Sequence, residues 1–275
     1  MASSSQPIGV FDSGVGGLTV VRALAERLPA EALCYFADTA HVPYGPQPAA
    51  RITGYVSDIT AFLLSQGAKI IVVACNTATA ASLHHLRERW PQVPFVGMEP
   101  AVKPAALATR TGKVGVLATQ TTIASERYAS LMARFAQGVQ VWQDPCLGLV
   151  PLIEAGRWDE PETEALLRDI LHPMLSAGVD TLVLGCTHYP LVAPLIRRIA
   201  GEGVALVDPA PAVARRTEAI LRERNALAKA EAVAPLHHFY ASGATDVAER
   251  TLLHLFGRHL PVVHREVGAS CEEEG

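Results

Sequence analysis

Short apolar runs rich in Val, Ile and Leu alternate along the chain with longer segments of helical periodicity. That alternation is the pattern of a parallel sheet whose strands are buried on both faces and connected by helices. The expected fold class is therefore α/β. Ile8 to Phe11 predicts a strand that runs into Asp12-Ser13-Gly14-Val15-Gly16-Gly17, after which Leu18, Val21, Leu24 and Leu28 mark one face of a helix ending before Pro29. A second strand is expected over Leu33 to Ala37, then a loop carrying His41-Val42-Pro43-Tyr44-Gly45-Pro46 and a helix closed by Gly67. Lys69 to Ala74 predicts a buried strand delivering Cys75-Asn76-Thr77, followed by a helix over Ala78 to Trp90 and a strand at Phe95 to Gly97.

The unit then repeats. Lys113 to Ala118 predicts a strand leading to Thr119-Gln120-Thr121-Thr122, a helix covers Ile123 to Phe135, and Val139 to Gln143 is a further strand. A helix from Pro161 to Ala177 precedes the apolar strand Thr181 to Gly185, which delivers Cys186-Thr187-His188-Tyr189. From Ala210 the chain supplies two more helices with a strand near His237 to Tyr240 between them. Both cysteine motifs read as buried strand, small residue, cysteine, polar pair, helix, and they lie about one small domain apart. Two similar open-sheet α/β domains are therefore expected, residues 1–99 with 209–275 forming the first and residues 100–208 the second. Ligands of open α/β sheets bind beyond the carboxyl ends of the strands. Two such halves facing each other across a central cleft would each present one cysteine.

Composition narrows the possibilities. Nearly half the residues are hydrophobic (49%) and 18% are charged, which excludes a disordered or fibrous chain. The 23 basic and 27 acidic residues leave a formal charge of −4, so neither nucleic acid nor an anionic membrane is an expected partner. Met1 to Gln6 lacks the basic and apolar regions of a signal peptide, and no apolar run reaches membrane-spanning length. Five scattered cysteines without CxxC spacing fit free thiols in a reducing compartment, and a cytoplasmic location is expected.

The two strand-end cysteines are the strongest candidates for chemistry. A single buried cysteine is ordinarily just a small hydrophobe. Cys75 and Cys186 share a different context, each at a point where a helix begins and exposed N–H groups favour thiolate. Cys34, Cys146 and Cys271 fall mid-strand, in a loop and in the tail, and read as structural or incidental. A zinc site would need three or four clustered ligands; His188 follows Cys186, but no comparable histidine accompanies Cys75, so no metal is expected. A covalent mechanism needs one cysteine and one base. Two near-equivalent thiols suit a different task, removal of a proton from one face of a carbon and its return to the other.

Local helpers are at hand. Asp12 ends the first strand, adjacent in a plausible sheet order to the Cys75 strand, although a turn or N-cap aspartate would occupy the same place. His188 could pair with Cys186, and Glu154, after an apolar run, could orient His188 or be an ordinary solvated loop acid. Ser13, Asn76, Thr77, Thr119, Thr122 and Thr187 sit at strand ends beside helix N-termini, where carboxylates bind without lysine or arginine. The glycine-rich turn lacks dinucleotide spacing, and the lysines at 69, 103, 113 and 229 give a pyridoxal Schiff base no anchor.

The set Phe11-Asp12-Ser13-Gly14-Val15-Gly16-Gly17, Pro43-Tyr44-Gly45, Ala74-Cys75-Asn76-Thr77-Ala78, Thr119 with Thr122, and Gly185-Cys186-Thr187-His188-Tyr189-Pro190 resembles the bacterial glutamate racemases in identity and order. The resemblance runs from Pro7 to Gly257, and Ala241-Ser242-Gly243 followed by an amphipathic helix is similar to the family's ending. It implies interconversion of L- and D-glutamate without cofactor, supplying the D-isomer for peptidoglycan, in a homodimer. By the same analogy Cys75 and Cys186 are the acid/base thiols. Asp12 assists Cys75, while His188 and Glu154 assist Cys186. The substrate would be held by Asp12, Ser13, Pro43, Tyr44, Gly45, Asn76, Thr77, Thr119, Thr122, Thr187 and His188. Ala155 stands where relatives often carry a second acid. Some relatives carry an N-terminal extension linked to activation by a peptidoglycan precursor; only Met1 to Gln6 and one proline precede the first strand here, so that regulation is not expected. The alternatives are an aspartate-specific racemase or related enzyme of the same superfamily, a zinc hydrolase, and a non-catalytic amino-acid binder.

Overall fold

The computed structural model describes residues 6–229 and 235–268; Cys271 lies outside the described residues. Among them ten strands form: β1 (Ile8–Asp12), β2 (Leu33–Ala37), β3 (Ile70–Val73), β4 (Phe95–Gly97), β5 (Lys113–Leu117), β6 (Gln140–Asp144), β7 (Thr181–Leu184), β8 (Ala205–Val207), β9 (His238–Ala241) and β10 (Val262–His264). The chain divides into two compact units. One joins the described residues of Met1–Met98 to those of Ala210–Gly275, and the other is Glu99–Pro209. Each contains its own sheet, ordered β10-β9-β2-β1-β3-β4 in the first and β6-β5-β7-β8 in the second. Every strand pair is parallel.

The apolar runs explain the centre of each sheet. Ile8, Val10 and Phe11 of β1 and all four residues of β3 are fully buried, as are Val116, Leu117, Leu182 and Val183 of β5 and β7. Each such side chain contributes about 1.5–3 kcal/mol of hydrophobic free energy relative to exposure. The first unit's helices pack in two groups: Leu18–Arg27 against Ala210–Glu223 and Asp246–Phe256, and Ala49–Ser65 against Asn76–Arg89. Right-handed crossovers require this, because the chain steps from β1 to β2 in one direction and from β2 across β1 to β3 in the other.

The order β2-β1-β3-β4 is repeated as β6-β5-β7-β8. Both sheets therefore reverse winding direction beside their first strand, which puts a crevice between the carboxyl ends of β1 and β3 in one unit and of β5 and β7 in the other. Cys75 and Cys186 follow β3 and β7, the strands that border those crevices.

Two short strands, β8 and β10, and the helix Val102–Ala108 are absent from the sequence expectation. Both strands have three residues and, unlike the equally short β4, are mostly not buried, so neither shows a buried run that would register. The helix expected over Ile123 to Phe135 is two pieces, Gln120–Ile123 and Glu126–Phe135, because the Ser125 side chain caps the second by accepting the Tyr128 N–H.

Candidate active site

In the first unit the thiol is built into a helix start. Cys75 leaves β3 with an extended backbone and is the N-cap of helix Asn76–Arg89; its Sγ accepts the Ala78 N–H at 3.4 Å. The thiol also lies 3.8 Å from Ser13 Oγ, which in turn donates to Asp12 Oδ1 at 3.4 Å. Ser13 therefore sits between sulfur and carboxylate. Register pairing of β1 with β3 brings them together, with Phe11 opposite Val73. The other carboxylate oxygen of Asp12 accepts the Gly17 N–H at 2.6 Å, so Asp12 performs the turn role as well. A side chain at Gly17 would put its Cβ 2.5 Å from the Asp12 Cβ and 2.9 Å from Tyr35 Oη, which is why the turn needs glycine there.

Asn76 is 4% exposed, and among the described residues its amide oxygen and nitrogen both lack a hydrogen-bond partner. A buried, unpaired amide costs free energy unless a ligand completes it. Thr77 is buried beside it. On the other side of β1, the loop after β2 carries a cis Val42–Pro43 bond and then Tyr44, which is 1% exposed. Burial, then the hydrogen bond and charge of Asp38, then the proximity of Cys75 and Asp12, hold the Tyr44 phenol well above its ordinary pKa. Tyr44 thus belongs to the same strand-end cluster as Asp12 and Cys75, with Pro43 and Gly45 flanking it in the chain.

In the second unit the thiol is supported differently. Cys186 Sγ lies 3.6 Å from His188 Nδ1, and His188 Nε2 lies 2.5 Å from Glu154 Oε1. Burial opposes a charged imidazole, but the hydrogen bonds to Cys186 and Glu154 and their negative charge outweigh it, and His188 titrates well above its usual value. Cys186 does not cap an α-helix as the sequence pattern led one to expect. A 3-10 turn, Tyr189–Val192, comes first, and the helix Ala193–Ala200 follows. Pro194 lies near the start of that helix, where its missing N–H costs nothing; a helix running straight on from Cys186 would have it in the interior, where it breaks the ladder. Glu154 also differs from the solvated loop acid weighed for it, since it ends the short helix Leu149–Glu154 and its side chain is only 12% exposed.

Thr119 and Thr122 lie at the carboxyl end of β5, the neighbour of β7. Their hydroxyls are 2.9 Å apart, and Thr119 Oγ1 caps the following turn through the Thr122 N–H. Thr187 is buried beside Cys186. Cys34 is buried mid-strand with its thiol pushed up to about 12 by burial alone, which makes it an inert packing residue. Cys146 is buried close to Tyr189, with a left-handed backbone (φ 48°). Sequence reasoning did not single out Asp38, which bonds to Tyr44, and named Ser242, which bonds to Asp38, only within the Ala241-Ser242-Gly243 likeness and without a role.

The chain is thus an α/β protein that carries a supported thiol at the corresponding strand end of each of two like-ordered sheets. The chain belongs to the Asp/Glu/Hydantoin racemase family, whose model matches residues 8–217. It is 54% identical over 257 residues to the glutamate racemase of Pseudomonas paraeruginosa, covering 94% of this chain and 96% of that one. Among solved structures it resembles glutamate racemase isoform RacE1 from Bacillus anthracis, at 33% identity and a TM-score of 0.85, with 96% and 98% of the two chains covered. It also resembles Escherichia coli glutamate racemase in complex with L-glutamate and the activator UDP-MurNAc-ala, at 35% identity and a TM-score of 0.80, covering 94% and 97%.

Proposed function

We propose that the protein is a cofactor-independent glutamate racemase that interconverts L- and D-glutamate by proton transfer between two thiols. The observation that carries this reading is the equivalent placement of Cys75 and Cys186, each at a strand end and each with its own proton-handling support. The substrate follows from the relatives, named as glutamate racemases, one of them bound to L-glutamate. In this reading residues 1–99 with 209–275 and residues 100–208 are two domains, each contributing one of the two thiols that act on the substrate's α-carbon. D-glutamate supply for peptidoglycan, a cytoplasmic location and a homodimer belong to the same proposal.

In this reading the two thiols start from different states. Cys75 donates toward Ser13, which donates to Asp12, so that corner holds a proton with a carboxylate behind it. At the other corner His188, held above its usual pKa between Cys186 and Glu154, stands ready to supply a proton, and Cys186 serves as the base in this reading. One base and one acid are what a single turnover consumes, and the reverse reaction exchanges the roles. A Cα–H of glutamate is a very weak acid, so oriented donors must stabilise the carbanionic state in a water-poor site. Asn76, Thr77, Thr119, Thr122 and Thr187, with the Ser13 and Tyr44–Gly45 backbone, would supply them; losing one such donor costs about 2.7–4 kcal/mol of barrier.

Incubation with L-glutamate and L-aspartate in parallel, followed by circular dichroism and by α-proton exchange in deuterated water, tests the reading. Loss of optical rotation with deuterium incorporation is expected for glutamate. Turnover of aspartate instead would transfer the reading to the aspartate-specific branch, and absence of exchange with either would make the protein a binder.

A further inference from the structure

Asp38 follows β2 at its carboxyl end and is only 1% exposed. Its carboxylate is surrounded by groups from two distant parts of the chain. Tyr44 Oη donates to Oδ2 at 2.5 Å, Ser242 Oγ donates to Oδ1 at 2.7 Å, and His41 Nδ1 lies 2.8 Å from the same oxygen. A carboxylate only accepts, so the one hydroxyl proton of Tyr44 is committed to Asp38 and not to substrate. Charge-assisted bonds of this kind are roughly twice as strong as neutral ones. The loop between Asp38 and Tyr44 is thus pinned at both ends, and His41 is held further by stacking on Tyr55 with ring centroids 3.9 Å apart.

The anchor is itself anchored. Ser242 Oγ accepts the Ala40 N–H at 3.0 Å, Ser242 N–H donates to Ala37 O at 3.0 Å, and Gly243 N–H donates to Thr39 Oγ1 at 3.0 Å. The approach is close enough that a Cβ on Gly243 would meet Thr39 Oγ1 at 2.9 Å and the Ala40 nitrogen at 3.1 Å. Ser242 and Gly243 lie beyond the stretch matched by the family model, residues 8–217.

We propose that Asp38 is a positioning residue that holds the His41–Gly45 loop, and with it Tyr44, in place beside Cys75 and Asp12, and that the Ala241–Gly243 segment is what holds Asp38. The C-terminal strand region is then part of the substrate-binding apparatus rather than an edge that merely extends the sheet. This inference rests on the racemase reading, because its readout is racemisation.

The experiment compares wild type, Asp38→Asn, Ser242→Ala, Tyr44→Phe and the Asp38→Asn/Tyr44→Phe double variant for kcat and KM with both glutamate enantiomers, alongside thermal unfolding. Asp38→Asn is expected to raise KM about tenfold with kcat little changed, because the loop is misplaced while both thiols stay intact. Ser242→Ala moves KM in the same direction, about two- to threefold, and keeps the test alive if Asp38→Asn does not fold. The double variant is expected to be no worse than its poorer parent, since both changes remove one hydrogen bond. Unchanged KM in Asp38→Asn and Ser242→Ala, a lowered melting temperature without a KM effect, or multiplication of the two single effects in the double variant would overturn the proposal. A wild type inactive on glutamate would overturn the glutamate reading and this inference with it; an active wild type with indifferent variants would overturn the inference alone.

Discussion

The two thiol corners occupy the same place in sheets of the same order, yet they are supported by different physics. Cys75 is the N-cap of a helix, reached by a backbone N–H and linked through Ser13 to Asp12. Cys186 is followed by a proline-rich turn and is paired instead with an imidazole that a second carboxylate backs. The topology sets where a reactive group goes, at the crevice beside the first strand of each sheet. The local sequence sets how its proton is managed. A single kind of acid at two equivalent sites therefore does not imply equivalent surroundings, and the two corners have separable sensitivities.

Removing either sulfur tests the comparison most severely. Cys75→Ala and Cys186→Ala are each expected to abolish racemisation, by at least the 10²–10⁴-fold of about one lost acid/base group, with the circular dichroism spectrum of the fold preserved. Near-normal turnover in either variant would show that only one corner is catalytic.

His188 and Glu154 come next, and they act on one corner alone. His188→Asn is expected to lower turnover by about 10²-fold and to change the pH dependence of stability in a definite direction. A histidine whose folded-state pKa is raised above its unfolded value stabilises the fold fully below about pH 6.5, and the contribution is lost as pH rises through the higher folded value. The stability gap between wild type and His188→Asn, read by denaturant melts, should therefore shrink as the solution is made alkaline. A gap that widened with pH would contradict a protonated His188. Glu154→Gln should move the same transition to lower pH, because it removes one of the two anionic partners.

A milder effect is expected from Ser13→Ala, which severs the link between the Cys75 thiol and Asp12 without touching either. A hydrogen bond contributing about 0.5–1.5 kcal/mol gives a two- to roughly tenfold fall in kcat/KM. A loss as large as that of Cys75→Ala would make Ser13 a participant rather than a link.

The smallest change in activity is expected at the opposite end of β7. Asp180 precedes that strand and accepts from Thr109, the Arg110 and Thr111 N–H groups, and Thr181, which hold its carboxyl down at about 2 against the cost of burial. A depressed carboxyl contributes stability above its unfolded pKa and loses it as pH falls through the folded one. Asp180→Asn should lower the melting temperature at neutral pH, converge on wild type toward pH 2, and leave turnover unchanged. Impaired turnover would show that the chemistry is not confined to the carboxyl ends of the strands.

Much of this arrangement was legible beforehand. Parallel strands buried on both faces must be continuously apolar, so Leu33–Ala37 and Phe95–Gly97 read off the chain at their observed bounds, and the two cysteine motifs stood out by their likeness. The pairing of Asp12's strand with that of Cys75 was a plausible order, and the register bears it out. What was not legible lies far apart in the chain or is short. The Glu154–His188 pair had been weighed against a solvated loop acid and the fold decides for the pair, whereas Ser242 and Asp38, 204 residues apart, are connected by no spacing rule. Edge strands β8 and β10 are as brief as β4 but mostly not buried, so no continuous buried run marks them.

The amino-acid order by itself determined the α/β class, the strand ends that carry the two thiols and the racemase resemblance, because hydrophobic runs, turns and short motifs are local and each residue's neighbours in the chain set them. Only the tertiary structure decided that Cys75 caps an α-helix while Cys186 does not, that Glu154 reaches His188 instead of solvent, and that Ser242 reaches Asp38. Those contacts depend on the sheet bringing distant segments to one edge, where distance and burial, not separation along the chain, govern which groups share a proton.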